Sequence, residues 1–99
     1  REEKDVYIKF YADLKIKVNP GDIAADLLVK HLISPNEYDD IINMMSGERV
    51  RMDHLLKAVQ KAIEIDAKNL HIFLGVLAKA GGGKYHNLVK EMKDSLKCK

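Results

Sequence analysis

The chain has no tryptophan, only two prolines and a single cysteine in 99 residues, and aromatic residues make up just 6% of it. One thiol excludes an intramolecular disulfide framework. Cys98 stands between two lysines near the chain end, where nothing is expected to hold it against a base or lower its pKa, so a Cys–His nucleophile is excluded as well. No apolar run approaches the ~18 residues a membrane span needs, and no charged start leads into an apolar stretch of the signal-peptide kind. A soluble, cytoplasmic protein in a reducing setting is the expectation. The lack of an initiator Met and the Lys-Cys-Lys ending suggest a segment of a longer protein, with a full-length protein trimmed at one end as the alternative.

What is present is helical spacing. Apolar residues recur at three- and four-residue steps almost throughout, broken by short clusters of Gly, Pro, Asn, Ser or Asp. The clearest boundary is 31–42, His-Leu-Ile-Ser-Pro-Asn-Glu-Tyr-Asp-Asp-Ile-Ile. There Ser34 and Glu37 have capping-box spacing, and Pro35 suits a first helical position, where no N–H is needed. Six helices fit the whole pattern. The first is expected over 5–17, carrying Val6, Tyr7, Phe10, Leu14 and Val18, although alternation through Val6, Ile8 and Phe10 also admits a strand. The second starts at Asn19 and Pro20 and turns Ile23, Ala24, Leu27, Leu28, His31 and Leu32 inward. The third, from Ser34, places Tyr38, Ile41, Ile42 and Met45 on one side and Glu37, Asp39 and Asp40 toward water. The fourth is the longest, capped by Ser46, with Met52, Leu55, Leu56, Val59 and Ile63 as its stripe. Asp66 caps the fifth, which carries Leu70, Phe73, Leu74 and Leu77 and ends at Gly81–Gly83. Tyr85, Leu88, Val89, Met92 and Leu96 mark the sixth. Connections of two to five residues fit an antiparallel bundle, so the expected fold class is all-α, one domain over 1–99.

Several chemistries are excluded by what this pattern omits. Gly81-Gly82-Gly83-Lys84 resembles the end of a phosphate-binding loop, but Ala78 and Tyr85 stand where such a loop needs glycine and Ser or Thr. His31, His54, His71 and His86 are 23, 17 and 15 residues apart, without the i, i+4 pairing or cysteine partner of a metal site. No catalytic residue, cofactor or metal is expected. Met45 and Met52 are assigned inward by phase, and Met44 is left open.

Charge is the most suggestive feature. A net charge of +2 hides five acids against one base in 20–45, and seven bases against three acids in 66–99. Arg49, Arg51, Lys57 and Lys61 crowd the fourth predicted helix. A molecule with an acidic face and a basic face can dock head to tail with its own kind and, unless a ring closes, stack openly. Such association weakens with salt; salt-insensitive association would point instead to an apolar contact through Ile8, Ile16, Ile72 or Val76. The alternative is an unrelated helical binding module, possible contact with nucleic acid running through the lysine-rich C-terminal part, although that part lacks interleaved aromatics and arginine clusters.

The run Leu32-Ile33-Ser34-Pro35-Asn36-Glu37-Tyr38-Asp39-Asp40-Ile41, then Leu55-Leu56, then Phe73-Leu74-x-x-Leu77 followed by Gly and Leu88, resembles a caspase recruitment domain (CARD) of the death-fold superfamily. The likeness spans nearly the whole chain. Other branches fit less well: the last helix lacks the Arg-x-Asp-Leu of death effector domains, and no tryptophan stands where death domains often carry one. The glycine run at 81–83 departs from the family pattern. The resemblance implies a six-helix antiparallel bundle, a death fold, that binds other CARDs in a caspase, adaptor or sensor, and its own copies. The implied result is oligomers or filaments that activate caspases or signalling adaptors by proximity in apoptosis or innate immunity. It also implies an acidic protein-binding surface of Asp22, Asp26, Glu37, Asp39 and Asp40, and a basic one of Lys9 or Lys15 with Arg49, Arg51 and Lys57.

Overall fold

The computed structural model describes residues 2–45 and 47–97. Among them, seven α-helices follow one another: α1 (Glu2–Lys9), α2 (Tyr11–Lys17), α3 (Pro20–Val29), α4 (Pro35–Asn43), α5 (Glu48–Ile65), α6 (Lys68–Lys79) and α7 (His86–Lys97). A 3-10 turn, Ala80–Gly83, joins the last two. No strand occurs among the described residues, so the all-α expectation holds and the strand alternative at Val6–Phe10 does not.

Local chemistry sets most of the helix starts. Ser34 Oγ accepts from the Glu37 N–H at 3.1 Å, and Glu37 Oε1 accepts from the Ser34 N–H at 2.8 Å, completing the capping box ahead of α4. Asn19 Oδ1 accepts from the Gly21 N–H at 2.8 Å, with Pro20 at the first position of α3. Two caps differ from expectation. Gly47 precedes α5 and supplies no side-chain acceptor; Ser46 lies outside the described residues, as does Cys98. Asp66 closes α5, one residue earlier than a cap of α6, yet its carboxylate still accepts from the Lys68 N–H at 3.0 Å.

The helix expected over 5–17 is two helices. They meet at Phe10, whose backbone (φ −95°, ψ 3°) lies in the bridge region and redirects the axis. Both halves can then lie against α5. Val6, Tyr7, Phe10, Leu14 and Val18 are all buried, so the inward stripe survives the bend.

A Schellman turn ends α3. The His31 N–H bonds the Leu28 carbonyl at 3.0 Å and the Leu32 N–H bonds the Leu27 carbonyl at 2.9 Å, with buried Leu27 and Leu32 at the positions that usually touch. His31 takes φ 63° there and is exposed, which corrects its expected inward placement. Met45 is corrected too. It is fully exposed, at 100%, because α4 stops at Asn43 and the helical phase that pointed Met45 inward runs past the helix end. Ile42 is half-exposed; Ile41, with part-buried Tyr38, makes the inward contact of α4.

Helix α5 is the hub, packing against α1, α2, α3, α4 and α6, while α7 lies on α1 and α6. Its Met52, Leu55, Leu56 and Val59 are fully buried, each worth roughly 1.5–3 kcal/mol in apolar surface removed from water. Tyr7 joins the N-terminal layer to this hub. Its ring stands edge-on to Phe73 with centroids 5.8 Å apart, and its hydroxyl donates to the Leu56 carbonyl. Burial pushes the Tyr7 phenol pKa up, keeping it a neutral donor. Between α6 and α7 the chain needs glycine: Gly81 sits at φ 59°, where an added Cβ would come within 2.6 Å of the Lys84 side chain.

Candidate interaction surfaces

The acidic residues singled out above come from α3 and α4, which pack together through Ile23, Leu27, Ile41 and their neighbours. Asp26, Asp39 and Asp40 are exposed, and none of them makes an ion pair among the described residues. Glu37 is half-buried, its Oε1 accepting from the Ser34 N–H at 2.8 Å. Asp22 is different. Tyr85 donates its hydroxyl to Asp22 Oδ2 at 2.6 Å and Lys84 Nζ lies 3.1 Å from the same oxygen. The Tyr85 hydrogen bond and then Lys84 hold the Asp22 carboxyl below its usual range, while the Tyr85 hydroxyl also accepts from the Asn19 N–H at 3.0 Å. Asp22 is thus partly neutralised within the molecule and fastens the start of α3 to the turn before α7.

The basic residues fall on α1, α2 and α5. Helices α2 and α5 are packed neighbours, with α1 alongside. Lys9 is exposed, its ammonium 5.8 Å from the Phe10 ring centroid. Arg49 is exposed, whereas Arg51 is half-buried, its Nε screened from solvent without a hydrogen-bond acceptor among the described residues. Lys15 and Lys57 are drawn together by an acid that the sequence reading passed over. Asp53 takes Lys57 at 3.2 Å and Lys15 at 3.8 Å, and Tyr11 donates to its Oδ1 at 2.6 Å. The Tyr11 hydrogen bond, followed by Lys57, lowers the Asp53 pKa, while desolvation first and then Asp53 raises that of Tyr11. The i, i+4 spacing of Asp53 and Lys57 is visible in the sequence. Its closure by Tyr11 and Lys15, 42 and 38 positions away, depends on α2 packing against α5.

Of the ten residues singled out, Asp22, Lys15 and Lys57 are in ion pairs within the molecule, and the other seven are in none among the described residues. Asp26, Asp39 and Asp40, with Glu37, remain on α3 and α4; Lys9, Arg49 and Arg51 remain on α1 and α5, beside a Lys15–Asp53–Lys57 group of net charge +1. Such exposed groups can hold a partner's opposite charge by charge-assisted hydrogen bonds, arginine doing so through two at once. No described helix is long and apolar enough to cross a membrane. No family model, curated protein or solved structure matches the chain.

Proposed function

We propose that this chain is a non-catalytic, CARD-like interaction module of the death-fold type, assembling with its own kind by docking the acidic residues of α3 and α4 onto the bases Lys9, Lys15, Arg49, Arg51 and Lys57 of a neighbour. The observation that supports this reading is that α3 and α4 pack together and hold five acids and no lysine or arginine, with Asp26, Asp39 and Asp40 exposed and without an ion pair among the described residues, as are Lys9 on α1 and Arg49 on α5. The broken N-terminal helix supports the six-segment bundle: with α1 and α2 as halves of one bent element, the count of segments is six.

In this reading the module works by proximity. Copies docked acid to base form an open stack that gathers whatever each copy carries, a caspase, an adaptor or a sensor of apoptosis or innate immunity in the cytoplasm. The nucleic-acid alternative draws less support. On α7 the exposed Lys90 and Lys93 alternate with exposed Glu91 and Asp94, which breaks the basic stripe a phosphate backbone would follow. Electron microscopy of the chain at low salt tests the proposal. Stacked assemblies that disappear when Arg49 and Arg51 are both changed to Glu support it; monodisperse particles at every concentration and salt overturn it.

A further inference from the structure

We propose that Ser34 is a phosphorylation site, the acceptor for a proline-directed serine kinase, and that its phosphate pairs with Lys61 to fasten the start of α4 to α5. The chain holds three serines, no threonine and two prolines, and Ser34-Pro35 is the one step in which a hydroxyl residue precedes proline. Proline lacks the N–H that other residues present at that position, and proline-directed kinases select it there. Such an enzyme finds a single address.

The structure presents that address to solvent. Ser34, Pro35 and Asn36 are exposed, and Ser34 has an extended backbone (φ −82°, ψ 160°), the form that residues before proline favour and that fits a kinase cleft without refolding the acceptor. Its Oγ accepts from the Glu37 N–H at 3.1 Å across an exposed bond, and its own proton is donated to no group among the described residues. The hydroxyl is therefore free to react. Ser95, by contrast, is half-buried inside α7 and followed by Leu96.

In the transfer, Ser34 Oγ attacks the γ-phosphorus of ATP, the bond from that phosphorus to the bridging oxygen breaks, ADP leaves, and the hydroxyl proton passes to the kinase's catalytic carboxylate. The product carries roughly −1.5 to −2 charge and three acceptor oxygens. Two features of this chain receive them. The phosphate stands at the N-terminus of α4, where first-turn N–H groups and the helix dipole favour an anion. Lys61 of α5 shares with Ser34 the lining of a depression of about 320 Å³, together with His31 and Glu37, and Lys61 makes no ion pair among the described residues. Glu37 opposes the change, since its carboxylate, bonded to the Ser34 N–H at 2.8 Å, is repelled and gives up that bond. Charge-assisted bonds to an ammonium and to the helix start outweigh that one loss.

Incubating the full chain with a cyclin-dependent type of serine kinase and Mg-ATP, under conditions that phosphorylate a Ser-Pro control protein, tests the proposal. Intact-mass and fragment-ion spectrometry are expected to find one phosphate, on Ser34, and none on the Ser34→Ala chain. The phosphorylated chain melts a few degrees higher than the unmodified one. Lys61→Gln, at an exposed position where the unmodified chain's midpoint is unaffected, removes most of that rise. A chain that takes no phosphate, or takes it at Ser46 or Ser95, overturns the site. A midpoint that falls, or that rises equally in the Lys61 variant, overturns the pairing. None of these readings requires copies to dock, so failure here leaves the acid-to-base stack standing, and failure of the stack leaves Ser34 as it is.

Discussion

Tyr11 donates its hydroxyl to the Asp53 carboxylate at 2.6 Å, and this bond fixes the second half of the broken N-terminal helix to the basic helix α5. The same carboxylate pairs with Lys57 and Lys15, so one acid draws two of the lysines together and offsets one unit of their charge.

Removing the hydroxyl with Tyr11→Phe therefore costs stability, by about 1–2 kcal/mol for a charge-assisted bond that is only partly buried. Urea unfolding measures it. An unchanged midpoint would mean that Asp53 is held by the lysines alone.

His31→Gly is expected to stabilise the chain. At φ 63° a side chain is strained, and glycine is the usual residue at this point of a Schellman turn. The expected gain is about 1 kcal/mol, read as a higher thermal midpoint. A loss would show that the His31 side chain contributes more than its backbone costs.

Phe73→Ala should destabilise by roughly 3–5 kcal/mol. The ring is fully buried and packs edge-on to Tyr7, so its removal opens a cavity where α1 meets α6. A cost below about 1 kcal/mol, the scale of an exposed site, would place that ring outside the core.

Stability should fall at both extremes of pH. Asp22 and Asp53 have pKa values lowered from 3.8 by the Tyr85 and Tyr11 hydrogen bonds and their lysines. Their contribution is present above pH 3.8 and is lost as pH falls below that toward the folded values. Tyr7, Tyr11 and Tyr85 are raised from 10.0, chiefly by desolvation. The unfolded chain releases those protons first, so stability declines as pH climbs past 10.0. Thermal midpoints across pH 2–12 check both limbs; midpoints flat below pH 3.8 would leave the two carboxylates without structural weight.

How far the sequence carried these features depended on range. The capping box of Ser34 and Glu37, the Asn19–Pro20 start and the stripe through Met52, Leu55, Leu56 and Val59 are local, and the structure has them where spacing puts them. Met45 was misplaced because periodicity gives direction without saying where a helix stops. His31 was misplaced because leucines on either side masked a turn that usually carries glycine. The bend at Phe10 has no proline or glycine to announce it; tertiary packing of both halves on α5 decides it. Of the charged residues, Asp39, Asp40 and Arg49 are exposed as their helical phase indicates. The pairing of Asp22 with Lys84, and of Asp53 with Lys15, joins residues 62 and 38 positions apart, beyond any local pattern.

A charge-swap complementation tests most directly whether opposite surfaces drive assembly. One variant carries Arg49→Glu and Arg51→Glu, the other Asp39→Lys and Asp40→Lys, and light scattering follows each alone and the two mixed. Neither variant should assemble by itself, and the mixture should, because each reversed surface now meets its complement on the other chain. Continued assembly of either variant alone, or a mixture that stays as dispersed as its parts, would contradict the account.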